Sequence, residues 1–184
     1  MQRYTRVASL IFGVMMLVLS AAVTLETLLR KLFSFSLGGV DELSGYAIAL
    51  GAPLAFAVAL LERSHIRINL LYLKLAPKRQ AMLDAAAVLS LGALAVFLLF
   101  FTVQNVLDTR QYQSIAQTPW ATPLIYPQAL WLIAMLAFAL PAVWLMLQVL
   151  NLLARRDWEG LRKRFGPEST EDELKAELDD LQRR

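Results

Sequence analysis

Residues 85–107 read AAAVLSLGALAVFLLFFTVQNVL and contain no charged side chain over 23 positions. The hydrocarbon core of a bilayer is about 30 Å thick, and an α-helix needs about 20 mostly apolar residues to cross it. Three further segments have the same character. The four helices are expected at about residues 7–29, 43–61, 85–107 and 128–153. The predicted fold class is therefore an all-α integral membrane protein with four transmembrane helices.

The composition agrees with a membrane protein and excludes several kinds of site. Of the 184 residues, 58% are hydrophobic and 18% are charged, whereas soluble domains have roughly 45–50% and about 25%. The chain has no cysteine and one histidine, His65. A disulfide, a thiolate nucleophile, an iron–sulfur cluster and a zinc site of cysteine and histidine are therefore excluded. We expect no catalytic residue, no metal ion and no cofactor in this chain.

Lysine and arginine are distributed unevenly over the loops between these segments. Fifteen of the 18 lie before the first span, between the second and third, or after the fourth, and three lie in the other two loops. Because basic loops stay in the cytoplasm, both termini are predicted to be cytoplasmic. The same placement explains the net charge of +3 without a nucleic-acid partner. The first apolar run is longer than the about 7–15 residues of a signal-peptide core, so we expect it to remain as a span.

Small residues recur at every fourth position of the second span and therefore share one helix face. They are Ala47, Gly51, Ala55 and Ala59. Such a face lets two membrane helices approach closely, because helix association in lipid depends on packing. Two interpretations stay open: the face packs against the chain's own helices, or it binds a helix of another membrane subunit. Trp144, deep in the fourth span, is a further candidate for packing against a partner helix.

Glu26 lies inside the first apolar segment, about one turn from its outer end. An acid within a membrane is a functional candidate by default, and a proton-linked site is one interpretation. Arg30 follows at i+4, the spacing at which glutamate pairs with a basic residue on a helix, so a structural role is the other. No span carries an acidic or basic residue near its midpoint. This pattern is typical of a chain that supports a transporting partner, and it argues against an enzyme.

Two surfaces outside the hydrocarbon core carry candidate contact residues. On the predicted outer side, Asp41 and Glu42 begin the second span. They are suited to cap that helix, with Asp41 as the capping residue, or to contact a periplasmic partner. Trp120, in the proline-rich loop before the fourth span, is a further candidate for periplasmic contact.

On the predicted inner side, residues 65–75 form a short apolar and basic segment between the second and third spans. The segment is too short to cross the membrane and is predicted to lie along its inner surface. The residues assigned to lipid headgroups or to partner loops there are Arg63, His65, Arg67 and Lys74.

The chain divides into a four-helix membrane domain, residues 1–154, and a charged cytoplasmic tail, residues 155–184, that is predicted to be partly helical. Thr170 and Glu173 have the spacing of a capping box. Leu174, Leu178 and Leu181 follow on one helical face.

Three motifs mark the start, the middle and the inner exit of the second span: Asp41-Glu42, Gly51-Ala52 and His65-Ile66-Arg67-Ile68-Asn69-Leu70-Leu71. Together with four spans and two cytoplasmic termini, they resemble the small membrane subunit, the DctQ type, of tripartite ATP-independent periplasmic (TRAP) transporters. The resemblance implies a heterodimer with a large DctM-type membrane subunit. That subunit imports an organic anion with sodium after a periplasmic DctP-type binding protein delivers it. It also implies a bacterial inner-membrane location and no substrate-binding residue in this chain.

In an alternative interpretation, Glu26 takes part in transport. Small multidrug exporters are similar in being short oligomeric membrane chains with an essential acid, and this chain would then transport a substrate alone with Glu26 as its proton-linked site. Transport by the chain alone that a Glu26→Gln substitution abolishes would identify this alternative.

Overall fold

The computed structural model describes residues 2–62, 72 and 74–166 of the chain. It contains five helices in the described ranges: α1 Gln2–Phe33, α2 Val40–Leu61, α3 Pro77–Tyr112, α4 Ile125–Ala154 and α5 Trp158–Phe165. The predictions for Arg63, His65 and Arg67 lie outside the described residues. So do the capping box and the leucine face of residues 170–181.

Helices α1 to α4 are each long and apolar enough to cross a membrane, which confirms the four predicted spans. The helices extend beyond the predicted apolar segments, because charged and polar residues continue the helical backbone at both ends. Helix α3 has 36 residues, and at 1.5 Å per residue it is about 54 Å long. The hydrocarbon layer takes up about 30 Å of that length, so the ends of α3 reach into the headgroup regions.

The described residues divide into two compact units. The first unit combines residues of 1–65 with residues 91–145, and its core is built largely from small side chains. Ala57 of α2, Ala95 of α3 and Ala139 and Ala142 of α4 are buried there together with Leu60, Met135 and Phe138. Alanine at these positions lets the helix backbones approach closely, which is how helices associate where lipid supplies no hydrophobic drive. The rings of Phe56 and Phe138 add a tilted contact at 5.9 Å between centroids.

Gly51 lies where α1 crosses α2. A Cβ atom added there would lie 3.0 Å from Phe12 Cε2 and 3.1 Å from the terminal methyl carbons of Met15 and Met16. Ala47, one turn earlier on the same face, is also buried. At Gly51 the structure therefore places the chain's own α1 against the small-residue face, the first of the two interpretations.

We expect Gly51→Leu to separate α1 from α2, because a leucine side chain overfills this contact at a cost of about 1–3 kcal/mol. Gly51→Ala is expected to be mild, since the neighbouring methionine termini are flexible. The matched control is Gly13→Leu, since a Cβ at Gly13 meets nothing within 4 Å. Thermal unfolding of the purified chain in detergent measures the difference, and equal losses at Gly51 and Gly13 would contradict this packing.

The second unit combines residues of 66–90 with residues of 146–184. Its buried side chains on α3 are Ala81, Asp84, Ala85 and Val88, which recur every three or four positions and so share one face. The Tyr72 hydroxyl donates a 2.6 Å hydrogen bond to Asp84 Oδ2, and Gln80 Nε2 donates to the Tyr72 carbonyl at 3.1 Å. Two links thus fix Tyr72 to the first turns of α3.

Helix α4 ends in a tight turn that leads directly into α5. Arg156 adopts a left-handed conformation with φ of 53°, and its N–H and that of Asp157 donate to the carbonyls of Leu153 and Leu152. This is the hydrogen-bond pattern of a Schellman motif. The Asp157 side chain then accepts a 2.8 Å hydrogen bond from the Gly160 N–H and caps α5. Leu161 of α5 is fully buried, so the start of the charged segment after α4 is part of the folded chain.

Candidate functional site

Glu26 of α1 binds the loop between α1 and α2, residues 34–39. Its Oε1 atom accepts hydrogen bonds from Arg30 Nη2 at 2.7 Å and from the Ser36 hydroxyl at 2.6 Å. Its Oε2 atom accepts from the Leu37 N–H at 2.8 Å. The Ser36 hydroxyl in turn accepts from the Gly38 N–H at 3.1 Å. Both carboxylate oxygens are therefore engaged in holding the loop.

The ion pair between Glu26 and Arg30 confirms the predicted i+4 pairing. The bonds to Ser36 and Leu37 were not predicted, because nothing in a polar loop indicates which of its groups will reach back to the preceding helix. Glu26 is only 7% exposed, and its donors occupy three of the about four acceptor positions of the carboxylate.

Glu42, in the first turn of α2, binds the loop between α3 and α4, residues 113–124. Its carboxylate accepts a 2.6 Å hydrogen bond from the Tyr46 hydroxyl and a short one from the Thr118 hydroxyl. The Thr122 side chain lies beside the same carboxylate. Glu42 is also 7% exposed. This group, Glu42, Tyr46, Thr118 and Thr122, is called the Glu42 clasp below.

The loop held by the Glu42 clasp is ordered by its own backbone. Ile115 and Pro123 form an isolated antiparallel bridge. The Ala116 N–H donates to the Thr122 carbonyl at 2.8 Å, and the Leu124 N–H donates to the Ser114 carbonyl at 3.0 Å. The loop therefore presents its exposed side chains, including Trp120, from a defined backbone.

The indole of Trp120 lies directly over Gly39, the residue before α2. A Cβ atom at Gly39 would collide with three ring carbons, Cε2, Cδ2 and Cζ2 of Trp120. Pro119 of the same loop is close to Gly38, which adopts a left-handed φ of 73°. The two glycines thus allow the loop to pack on the start of α2.

The interpretation of Asp41 as the N-cap of α2 is wrong. Gly39 occupies the N-cap position, no side chain caps the helix, and Asp41 lies in the first helical turn. The helix begins at Val40, two residues earlier than a cap at Asp41 would require, and Trp120 packs on the glycine that takes the N-cap position. Asp41 still complements the positive end of the helix dipole from the first turn.

The predicted contact residues differ in how accessible they are. Asp41 is exposed, Trp120 is 48% exposed and Trp144 of α4 is 56% exposed, whereas Glu42 is enclosed in its clasp. Ala55 and Ala59 are half-buried, and Lys74 is exposed.

A cleft of about 390 Å³ opens between the end of α1 and the start of α2. Its lining carries both signs of charge, from Glu26, Arg30, Lys31 and Asp41. Since Glu26 and Arg30 pair with each other, Lys31 and Asp41 are the charged groups of the lining that remain for an outside contact. Within residues 2–62, 72 and 74–166, no group of three potential metal-binding side chains occurs.

A family model described as "Tripartite ATP-independent periplasmic transporters, DctQ component" matches residues 19–155. The matched segment begins inside α1 and ends one residue after α4, so it contains both loops and their two carboxylates. A comparison with curated proteins gives no match.

Proposed function

This chain belongs to the DctQ family of TRAP transporters, and on that basis we propose that it braces a large DctM-type membrane subunit, which carries the transported substrate. The observation that carries the proposal is the family match, which covers α2, α3 and α4 completely. The chain is a multi-pass membrane protein with four helices able to span.

The internal use of the polar groups supports a bracing role. Glu26 and Glu42 accept hydrogen bonds from loop residues of the same chain. The core of the first unit consists of alanine, leucine, methionine and phenylalanine side chains. A transport site needs polar groups that exchange partners with the substrate. Here both carboxylates, Glu26 and Glu42, are committed to the fold, so we place the substrate site in the partner.

For the complete system we propose import of an organic anion with sodium across a bacterial inner membrane, with both termini of this chain in the cytoplasm. A periplasmic DctP-type protein would then dock on the side that carries the two loops. On that side Asp41 offers an exposed acid, Lys31 an exposed base and Trp120 an exposed aromatic ring. Trp144, exposed on α4, is our candidate for contact with a helix of the large subunit.

Co-purification tests the proposed assembly directly. The chain is tagged, extracted in a mild detergent from its native membrane, and analysed for proteins that elute with it at equal stoichiometry. We expect one large membrane protein with ten or more spans. A homo-oligomer that elutes without such a partner would contradict the proposal.

We expect Glu26→Gln to leave most of the substrate uptake by the complete system intact, because glutamine keeps one acceptor oxygen for either Ser36 or Leu37 and the proposal gives Glu26 no part in transport. The measurement is uptake of radiolabelled substrate by cells carrying all three proteins, with protein levels checked by immunoblot. Complete loss of uptake at normal protein level would favour the proton-linked alternative. Substrate uptake by this chain without its partners would also favour the proton-linked alternative.

A further inference from the structure

The second unit carries an unpaired basic surface at the end where α3 begins and α4 finishes. Lys78 and Arg79 lie in the first turn of α3, Arg155 and Arg156 follow α4 directly, and Arg162 and Lys163 lie on α5. All six are exposed, and within residues 2–62, 72 and 74–166 none of them forms an ion pair. We refer to these six residues as the basic surface.

Within residues 74–90 and 146–166, the acidic groups do not neutralise the basic surface. Asp84 is buried and accepts from Tyr72, and Asp157 accepts from the Gly160 N–H. Glu159 is the remaining acid among residues 74–90 and 146–166. The described part of the unit therefore presents a strong excess of positive charge to its surroundings.

Helix α5 is held so that its basic residues point outward. Leu161 and Phe165 are buried on one face, and Arg162 and Lys163 are exposed on the other. Lys78 Nζ lies 5.2 Å from the centre of the Trp158 ring, a cation–π contact that joins the start of α3 to the start of α5. This contact and the tight turn between α4 and α5 bring the three cation-bearing segments together in one unit.

Exposed apolar side chains adjoin the basic surface on the two membrane helices. Met82 and Leu83 follow Lys78 and Arg79 by about one turn of α3, and Leu147 and Leu150 precede Arg155 on α4. These four side chains are 45–53% exposed. Since both helices span the membrane, exposed apolar groups here face acyl chains, and the neighbouring cations lie at the depth of the headgroups.

We propose that this surface binds phospholipids with an anionic headgroup, with the phosphate groups on the six cations and the acyl chains along Met82, Leu83, Leu147 and Leu150. A phosphodiester is the anion that a membrane presents at this depth, and arginine is well suited to bind it through paired N–H donors. The inference does not depend on the transporter assignment, because it uses the second unit alone.

The experiment compares the unsubstituted full chain with a variant that lacks four of the cations. Both are placed in nanodiscs of phosphatidylcholine that contain phosphatidylglycerol as a minor component. Native mass spectrometry counts the lipids of each kind that stay bound after release. The test variant combines Arg79→Gln, Arg156→Gly, Arg162→Gln and Lys163→Gln. Glycine fits the left-handed conformation at position 156, so that substitution removes charge without straining the turn. Each cation near the surface contributes about fivefold to anionic-lipid binding, so we expect the preference for phosphatidylglycerol to fall at least about tenfold.

The matched control removes four other exposed cations, Arg3, Arg6, Lys31 and Arg110, each replaced by glutamine. The control is expected to keep the preference. The proposal is overturned if the unsubstituted chain shows no preference for phosphatidylglycerol, or if the test variant keeps that preference. Residues 167–184 are net acidic, and a preference that appears only after their removal would also overturn it. Should the test variant fail to fold, photoactivatable phosphatidylglycerol is bound to the unsubstituted chain. Adducts on residues 77–83 or 147–166 then support the proposal, and adducts confined to other segments overturn it.

Discussion

Replacing Glu42 with alanine is expected to release the loop of residues 113–124 from α2 and to expose it to proteases. The substitution removes the acceptor of the Tyr46 and Thr118 hydroxyls in one step. These hydroxyls lie in part-buried positions, where loss of their acceptor destabilises the closed loop and favours hydration of the open one. Because cleavage follows the population of the open form, we expect proteolysis within this loop to become about tenfold faster or more.

Limited proteolysis of the purified chain in detergent, followed by mass spectrometry of the fragments, measures this effect. Asp41→Ala is the matched control, because Asp41 is the neighbouring acid and is exposed. Glu42→Gln keeps one acceptor oxygen and should give an intermediate rate. Equal cleavage in the Glu42→Ala and Asp41→Ala chains would show that the clasp does not hold the loop.

Gly39→Ala is expected to destabilise the chain by about 2 kcal/mol, in the range that added methyl groups cost in tightly packed sites. The added Cβ collides with the six-membered ring of Trp120, so either α2 or the loop must shift. The φ of −137° at Gly39 lies outside the left-handed region, so the effect comes from the collision and not from the backbone conformation.

A double-mutant cycle isolates this collision. Trp120→Ala removes the ring, and in that background Gly39→Ala should have little effect on thermal unfolding. Gly45→Ala is the control within the same helix, since a Cβ there meets nothing within 4 Å, and it should stabilise α2 by up to about 1 kcal/mol. If Gly39→Ala costs the same with and without the indole, Trp120 is not the cause.

Glu42→Ala and Gly39→Ala also test the docking of the proposed periplasmic partner. Trp120 is held at the surface by the Glu42 clasp on one side and by Gly39 on the other. If the binding protein docks on this loop, both variants should weaken its docking more than Asp41→Ala does, although neither touches the exposed face of the indole.

The sequence alone determined the four spans, because a membrane helix requires only a long apolar run, which is a local property of composition. The pairing of Glu26 with Arg30 could also be predicted from the sequence, because residues four apart on a helix are neighbours in any tertiary structure. The orientation of the termini rests on the charge of the loops and remains a prediction. The family resemblance was visible in the motifs around the second span, and the family match confirms it.

Only the tertiary structure decided what Glu26 and Glu42 bind and which glycines are required. Glu42 and Thr118 are 76 positions apart, and no periodicity links an acid at the start of one helix to a hydroxyl in a distant loop. The Asp41 capping prediction failed because α2 begins at Val40, with Gly39 under the indole of Trp120 as the N-cap residue. Gly51 could have packed against another subunit, and the structure places Phe12 and Met15 against it. Span formation depends on transfer into hydrocarbon, which each segment satisfies by itself, whereas hydrogen-bond partners and close packing depend on which segments the fold brings together.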